Sequence, residues 1–401
     1  MNPAIVIEVL AWVLLAFALP GTLYLAMLTI AGVLPSRGRE AKPLAGRLAF
    51  VIPAHNESAG IARTLDNLRA EAARDRATDV IVVADNCSDD TAAKAQACGA
   101  RVLVRHDPEK RGKGYALHHA FETLRRDDHV AYVIVDADSQ VDPGFISAIR
   151  RHLGAGAMAV QARYTVLNGD ETPRTRIAEL ALAGWNVLRP RGRERLRLSV
   201  GLLGNGFALR RHVIDVVPYT ATSVVEDFEY HLALIEADIA VRFADDATVR
   251  GEMPTNAAAA SSQQARWEGG RLQMLRSHGA RLGARVLRGD WRYIDPLADL
   301  LLPPLAYLVA LLVSALALGL LPGVSAATPL TASLMTAVIA AHVVSAIPIA
   351  GLPWRRLWLL ARVPGYLTWK LLHLGGVLHS ARHDAPWVRT ARNASSEGAS
   401  S

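Results

Sequence analysis

The sequence predicts an α/β domain with a largely parallel sheet, flanked by membrane-spanning helices. Short β-branched runs alternate with charged, alanine-rich stretches over residues 43–295, as in sheets whose strands are joined by helices. Long apolar stretches occupy the two ends of the chain. With 51% hydrophobic and 20% charged residues among 401, the composition excludes a disordered, collagen-like or coiled-coil protein.

The N-terminal segment, residues 1–36, is predicted to be a transmembrane helix. From Pro3 to Leu34 it carries a single charge, Glu8, and it is long enough to cross about 30 Å of hydrocarbon. A cleaved signal peptide begins with a basic region, whereas this segment has no Lys or Arg before Arg37. We therefore expect the helix to be retained.

Apolar runs in the middle of the chain predict the strands of a parallel sheet. These runs are LAFVIPAH (48–55), DVIVVAD (79–85), ARVLVRH (100–106) and AYVIV (131–135). In such sheets ligands bind outside the carboxyl ends of the strands, so the polar residues that follow the runs are the functional candidates. No glycine-rich dinucleotide or P-loop motif follows the first run, which argues against both of those classes.

The pair Asp136 and Asp138 follows the run 131–135. Two carboxylates one residue apart supply hard oxygen ligands that suit Mg²⁺ or Mn²⁺ bound to a diphosphate. The same pattern also occurs in solvated turns and helix caps. Its position after a strand, in register with Asp85, favours the metal role.

Two further motifs lie nearer the C-terminus. Glu226 and Asp227 precede a helix-like apolar run, where a carboxylate can either cap the helix or act in catalysis. Gln263, Arg266 and Trp267 fall on one face of a predicted helix and offer an amide, a phosphate-binding fork and an indole surface. A membrane-interface belt of Trp and Arg is the alternative for this motif.

Taken together, the motifs resemble the family 2 glycosyltransferases. FVIPAHNE, VVADNCSDDT, KRGKGYAL, VIVDADSQVDP, LLGNGFALRR, SVVEDFEYHL and QQARW occur in this order over about residues 48–270. The array is similar to the membrane-embedded branch that includes cellulose, hyaluronan and poly-N-acetylglucosamine synthases. The segment PWVRTAR (386–392) also resembles the tail of bacterial relatives.

The resemblance implies a GT-A fold, a Rossmann-like mixed sheet, and a nucleotide-sugar donor that is usually UDP-linked. It implies donor-binding roles for Pro53, His55, Glu57, Asp85, Lys113, Asp136 and Arg266. Asp138, supported by Asp136, would hold Mg²⁺ or Mn²⁺, and Asp227 with Glu226 would supply the general base. Gln263 and Trp267 would contact the acceptor. Separately, Asn205 in GLLGNGFAL is a candidate for acceptor contact, although its glycine neighbours equally suit a tight turn.

Two positions depart from the pattern of the family. Ala84 stands where many relatives have a second Asp, and Val225 stands where Thr is usual. The first departure leaves fewer contacts to define the base of the nucleotide. The second leaves the acidic pair intact.

The C-terminal region completes the predicted domain organisation. Residues 296–353 are predicted to form two transmembrane helices, and residues 354–392 an interfacial amphipathic helix followed by a basic segment. Residues 393–401 are small and polar, which predicts a disordered tail. Basic residues follow the first and third spans but are absent from the turn at 322–328. By the positive-inside rule the middle domain, residues 43–295, is cytoplasmic at the inner membrane.

The expected activity is therefore inverting sugar transfer from a nucleotide sugar to a glycan or lipid acceptor, forming a β-linkage in cell-envelope glycan synthesis. The alternatives are a transferase that adds a single sugar to a membrane lipid and a non-catalytic membrane scaffold. Expected partners are the donor, the acceptor, the bilayer and secretion or synthase subunits. Nucleic acid is not expected, because much of the +7 net charge lies at membrane edges.

Overall fold

The computed structural model describes residues 2–35, 41–75, 77–221, 223 and 225–381. The chain divides into two compact units. We call residues 36–182 and 197–263 the sheet unit, and residues 1–35, 183–196 and 264–385 the helical unit. The predicted PWVRTAR segment and the predicted disordered tail lie outside the described residues.

The sheet unit contains one eight-stranded sheet in the order β3-β2-β1-β4-β7-β6-β8-β5. The strands are β1 Arg47–Ala54, β2 Thr78–Asp85, β3 Arg101–Arg105, β4 His129–Ile134, β5 Ser139–Val141, β6 Ala159–Val166, β7 Phe207–Arg210 and β8 Val241–Gly251. β1 pairs in parallel with β2 and β4, whereas β7 pairs antiparallel with β4 and β6. The predicted mixed sheet with a parallel core is confirmed.

Helices cover both faces of this sheet. They are α2 Ile61–Arg74, α3 Thr91–Ala97, α4 Lys113–Leu124, α5 Phe145–Gly154, α6 Pro173–Leu182, α8 Arg211–Val216 and α9 Glu226–Glu236. Phe50 of β1 packs in one apolar layer with α2 and α5, and Val51 packs in the other with α4 and α9. β1 is buried on both faces, which explains its nearly continuous apolar sequence.

The helical unit contains the apolar ends of the chain. Its helices are α1 Pro3–Val33, α7 Arg189–Arg195, α11 Ile294–Leu301, α12 Leu305–Gly319, α13 Ala327–Ile349, α14 Val363–Leu372 and α15 Leu374–Ser380. α10, Ala257–Leu287, begins within the sheet unit and continues into the helical unit. A π-helical turn, Ala183–Leu188, precedes α7.

Among the described residues, α1 and α13 are each long and apolar enough to cross a membrane. The predicted span at 296–321 is broken, since the helices on its two sides meet at 70° and only together meet the same criterion. The break coincides with Pro303 and Pro304, which lack the N–H groups that a continuous helix needs. The region predicted as one interfacial helix consists of a 3₁₀ segment, Trp354–Arg362, followed by α14 and α15.

Residues 183–196 belong to the helical unit, although in sequence they fall within the predicted middle domain, residues 43–295. α7 packs against α1 so closely that a Cβ on Gly192 would lie 2.3 Å from the Leu28 carbonyl oxygen. Arg191 and Arg195 of α7 donate hydrogen bonds to the carbonyl oxygens of Leu34 and Pro35 just after α1. The segment between β6 and β7 is thus part of the helical unit.

Candidate active site

The carboxyl ends of β1 and β2 are joined by polar contacts. Pro53 lies near the end of β1, and His55 follows the strand with its Nδ1 2.8 Å from the carbonyl oxygen of Asp85. Asn56 has a left-handed backbone (φ 54°), and its Oδ1 accepts a hydrogen bond from the Ser88 N–H at 2.8 Å. The Glu57 N–H donates to Thr91 Oγ1 at 2.8 Å. These contacts hold the predicted donor-binding residues at one edge of the sheet.

Asp85 forms a buried ion pair with a residue that the sequence analysis did not identify. Arg105, the last residue of β3, donates from Nη1 to Asp85 Oδ1 at 2.6 Å, and both side chains are largely buried. Arg105 also reaches the carboxylate of Asp107 and the carbonyl oxygen of Lys110. The signal that could have identified Arg105 was its position at the carboxyl end of the strand beside β2.

Lys113, the first residue of α4, connects two of the predicted motifs. Its Nζ donates to Asp136 Oδ1 and to the carbonyl oxygen of Gly204. The lysine is part of the KGYAL sequence, Asp136 follows β4, and Gly204 precedes β7. The structure therefore brings Lys113 and Asp136 together, while their donor-binding roles stay predictions.

The turn after β4 presents two carboxylates on one side. Asp136 and Asp138 are partly exposed, while Ala137 between them is buried. Among the described residues, no group of three or more His, Cys, Asp or Glu side chains is arranged to hold a metal ion. The donor set fits Mg²⁺ or Mn²⁺, because Mg²⁺ is held by one or two carboxylates together with substrate phosphates and water.

Asn205 supports this turn from beneath. Its Oδ1 accepts a hydrogen bond from the Asp136 N–H at 3.1 Å, and its Nδ2 donates to Ser139 Oγ at 2.9 Å. The side chain is 1% exposed. The described contacts of Asn205 thus hold the aspartate turn in place, and its predicted acceptor contact stays a prediction.

Glu226 and Asp227 are the first two residues of α9. Asp227 Oδ1 accepts a hydrogen bond from the Phe228 N–H at 2.8 Å, so one carboxylate oxygen interacts with the helix N-terminus. A Cβ on Gly204, where φ is +76°, would lie 3.3 Å from Asp227 Oδ2. The turn before β7 therefore brings Lys113 and Asp227 to the same glycine.

The electrostatics of this cluster follow from its burial. Burial, reinforced by the adjacent Asp227 carboxylate, raises the pKa of Glu226 to about 8. Burial also raises the pKa of Asp227, and the Asp136 carboxylate adds to the effect, whereas the Lys113 ammonium opposes it. The neighbouring carboxylates overcome the burial of Lys113 and raise its pKa. Raised carboxylate pKa values suit proton transfer near neutral pH.

The third motif lies on α10. The predicted helix is present and carries Gln263, Arg266 and Trp267. Gln263 is the last residue of the sheet unit, whereas Arg266 and Trp267 belong to the helical unit. Trp267 is 40% exposed, and Arg266 Nε is buried without a hydrogen-bond partner.

The next residue, Glu268, fixes this part of α10 within the helical unit. Its Oε1 lies 2.6 Å from Lys370 Nζ on α14, and its Oε2 accepts a hydrogen bond from the Tyr307 hydroxyl at 3.0 Å. Gln264 Nε2 donates to the same Oε2 at 3.3 Å. The sequence analysis did not identify Lys370 or Glu268, which lie far apart along the chain.

Comparison with known proteins gives one family and several similar chains. The profile described as "Glycosyltransferase like family 2" matches residues 45–270. A low-salt glycan biosynthesis hexosyltransferase from Haloferax volcanii is 31% identical over 135 residues, which are 32% of this chain and 31% of that protein. The chain thus spans about a third of the length of this curated relative.

Solved structures give the fold. A mannosyltransferase from Pyrobaculum calidifontis, in complex with GDP-Man and Mn²⁺, is similar with a TM-score of 0.56 and 17% identity over 93% of this chain and 98% of that one. Glucosyl-3-phosphoglycerate synthase from Mycobacterium tuberculosis matches with a TM-score of 0.38 and 25% identity over 54% of this chain and 75% of that one. The first of these similarities confirms the predicted GT-A architecture.

Proposed function

The chain belongs to the glycosyltransferase like family 2 and is a glycosyltransferase, and we propose that it is an inverting enzyme of the membrane. It transfers a sugar from a UDP-linked donor to a glycan or lipid acceptor and forms a β-linkage. The observation that carries this proposal is the cluster in which Lys113 binds Asp136 and Gly204, while Gly204 approaches Asp227.

This cluster combines the two groups that the reaction needs at neighbouring positions. Lys113 supplies a partly exposed cation for the diphosphate of the donor. Asp227 supplies a carboxylate with a raised pKa, able to accept the proton of the attacking hydroxyl. Attack from the face opposite the diphosphate inverts the anomeric carbon, so an α-linked donor yields a β-linked product.

The donor is proposed to bind along the carboxyl ends of β1 to β4. Pro53, His55 and Glu57 would lie beside the nucleoside, with Asp85 positioned by Arg105. Asp138 and Asp136 would hold Mg²⁺ or Mn²⁺, which when bound neutralises negative charge on the diphosphate. Arg266 is proposed to bind the same diphosphate through its guanidinium fork.

The acceptor is proposed to contact Gln263 and Trp267, with Asn205 contributing through the aspartate turn. Trp267 is 40% exposed, and an exposed indole offers an apolar surface on which a sugar ring can pack. Glu226 is proposed to assist Asp227, because the two residues are adjacent, and burial together with the Asp227 carboxylate raises the pKa of Glu226.

The enzyme is proposed to work at the cytoplasmic face of the inner membrane in cell-envelope glycan synthesis. α1, α13 and the bent pair α11–α12 give at most three spans among the described residues. So few spans favour the second candidate function, in which the enzyme adds one sugar to a membrane lipid. A processive enzyme would need more protein, such as secretion or synthase partner subunits, to enclose a translocated chain.

Incubation of membranes containing the full chain with a panel of radiolabelled UDP-sugars and Mn²⁺ tests this proposal. A long ladder of products indicates a processive synthase, and a single lipid-extractable product indicates one-sugar transfer. Membranes containing Asp227→Asn provide the matched control. Absence of incorporation from every nucleotide sugar, GDP-linked donors included, contradicts the proposed function.

A further inference from the structure

The helical unit contains a cluster of charged residues that the proposed transfer reaction does not use. It comprises Tyr24 on α1, Trp185, Arg189 and Arg193 in the segment before β7, Arg271 on α10, and Asp295 and Asp299 on α11. We call it the arginine cluster. Arg189, Arg193 and Asp295 are each at most 5% exposed, so the cluster is largely removed from water.

One carboxylate oxygen is shared by three guanidinium groups. Asp299 Oδ1 accepts from Arg189 Nη2, lies 2.9 Å from Arg193 Nη2, and lies 3.8 Å from Arg271 Nη2. The last distance is too long for a hydrogen bond. Asp295 Oδ1 is occupied by the Tyr24 hydroxyl at 2.6 Å and by Arg193 Nε at 3.3 Å. The two carboxylates therefore leave Arg271 without a close anionic partner.

The number of charged groups also indicates that one arginine of the cluster is not neutralised. Three arginines face two aspartates, so the cluster has an excess of one positive charge when all five groups are ionised. Burial, with Arg189 and Arg193 nearby, lowers the pKa of Arg271 to about 10. Arg271 is only partly buried, so an external anion can reach it and neutralise the excess charge.

Two arginines of the cluster lie against one aromatic side chain, and Arg271 also donates from Nη2 to the Leu302 carbonyl oxygen at 3.1 Å. Arg189 lies over the Trp185 ring at 3.6 Å, and Arg271 lies 5.0 Å from the centre of the same ring. Arg189 Nε is buried without a hydrogen-bond partner. Arg271 and Asp299 are 19% and 14% exposed, so the Arg271 side of the cluster is open to solvent or lipid headgroups.

We propose that Arg271 and Arg189, on either side of this shared contact with Trp185, form a binding site for a phosphate group. Phosphate presents several strong acceptor oxygens, and arginine binds it through paired N–H groups. The cluster joins α1, a candidate span, to α11 of the bent pair, which favours the phosphate of a lipid headgroup as its source. The proposal concerns binding and does not depend on sugar transfer.

The test uses the purified full chain with Arg271→Gln, and with Arg288→Gln as the matched control, since Arg288 is exposed and lies just after the same helix. Arg271→Gln leaves two arginines facing two aspartates. We expect it to raise the melting temperature in neutral detergent, because it removes an uncompensated charge. We also expect it to weaken binding to vesicles containing phosphatidylglycerol by about fivefold to tenfold, while Arg288→Gln changes neither quantity.

A purely structural role predicts the opposite pattern, with Arg271→Gln lowering the melting temperature and binding unchanged, and that result overturns the proposal. If Arg271→Gln does not fold, the melting temperature of the wild-type protein with added lipid or phosphate still tests the site. Stabilisation by phosphatidylglycerol but not by phosphatidylcholine supports a lipid phosphate, and stabilisation by inorganic phosphate alone supports a free phosphate. Equal melting temperatures in phosphatidylglycerol and phosphatidylcholine, with no effect of inorganic phosphate, contradict the proposed phosphate site.

Discussion

At the scale of single residues, the site is defined by the carboxylate pair of α9 and by the lysine that faces it. The proton on an attacking hydroxyl has to be accepted by a group that is deprotonated at the working pH. Asp227 meets this requirement only when its proton has been lost, and its raised pKa makes that loss sensitive to pH.

Replacing Asp227 by Asn should abolish the base while preserving the shape of the side chain. We expect the transfer rate to fall by about 10²–10⁴-fold and the affinity for UDP to change little. Single-turnover kinetics and calorimetric UDP titration measure the two quantities separately. A variant with nearly wild-type turnover would exclude Asp227 as the base.

The pH dependence should report the same carboxylates. Because the pKa of Asp227 is raised, the acidic limb of the kcat/KM profile should lie above the usual range of an aspartate, with activity lost as the pH falls through it. Burial and the Asp227 carboxylate raise the pKa of Glu226 to about 8, so Glu226 is still protonated and uncharged while Asp227 loses its proton. Glu226→Gln should therefore leave the acidic limb in place, as should Glu122→Gln on the exposed surface of α4. A limb that moves to lower pH in Glu226→Gln alone would show that Glu226 ionises before Asp227.

The raised carboxyl pKa values also make folding stability depend on pH, and stability changes in the direction opposite to activity. A carboxyl group whose pKa is higher in the folded protein than in the unfolded chain stabilises the fold at low pH. This stabilisation is lost as the pH rises through the folded-state pKa. The Glu226–Asp227 pair therefore costs stability at the pH where Asp227 would act as the proposed base, as expected if this is a functional site.

At the scale of elements, the turn before β7 lies against the groups that we propose to act in sugar transfer. Gly204 adopts φ +76° and lies against Asp227, and Gly156 adopts φ +96° with open space around it. Gly204→Ala and Gly156→Ala should both lose roughly 1 kcal/mol of folding free energy, because each puts a Cβ on a left-handed backbone. Only Gly204→Ala should also reduce transfer, as measured by kcat at saturating donor. Equal activities of the two variants would argue against a role for this turn.

The contact between α10 and the C-terminal helices is a second element-scale feature. Lys370 and Glu268 are largely buried partners, whereas Lys94 and Asp90 form an exposed pair at 3.3 Å. Lys370→Met leaves the Glu268 carboxylate with its two hydrogen bonds but no cation, and we expect a loss of about 3–5 kcal/mol. Lys94→Met should lose less than about 1 kcal/mol. Chemical denaturation in detergent compares the two, and similar losses would contradict the proposed importance of the pair.

Several of these features follow from the sequence, and others do not. Asp85, Asp136 and their neighbours could be predicted because parallel α/β sheets bring the carboxyl ends of strands to one edge. The Arg105–Asp85 pair and the support from Asn205 depend on which strands are neighbours, which the strand pattern alone leaves open. Pro303 and Pro304 indicated a break in the predicted span, but the apolar composition of the segment favoured a continuous helix. The assignment of residues 183–196 to the helical unit was hidden by their arginines, which are typical of a soluble domain.

At the scale of the whole molecule, the remaining prediction concerns sidedness. Basic residues follow α1 at Lys42 and Arg47 and follow α13 at Arg355 and Arg356, whereas the turn 320–326 carries no charge. By the positive-inside rule, we expect the sheet unit to be cytoplasmic and this turn to face the outside. That arrangement requires the bent pair α11–α12 to cross the membrane once in spite of its break.

Single cysteines distinguish the two sides in a background lacking Cys87 and Cys98. Glu109→Cys lies in an exposed loop of the sheet unit, and Ala326→Cys lies at the exposed start of α13. In intact cells a membrane-impermeant maleimide should label Ala326→Cys and should label Glu109→Cys only after permeabilisation. Protection of both sites would mean that the bent pair re-enters on the cytoplasmic side. Labelling of Glu109→Cys from outside would place the sheet unit away from the cytoplasmic pool of nucleotide sugars and would contradict the proposed location of the reaction.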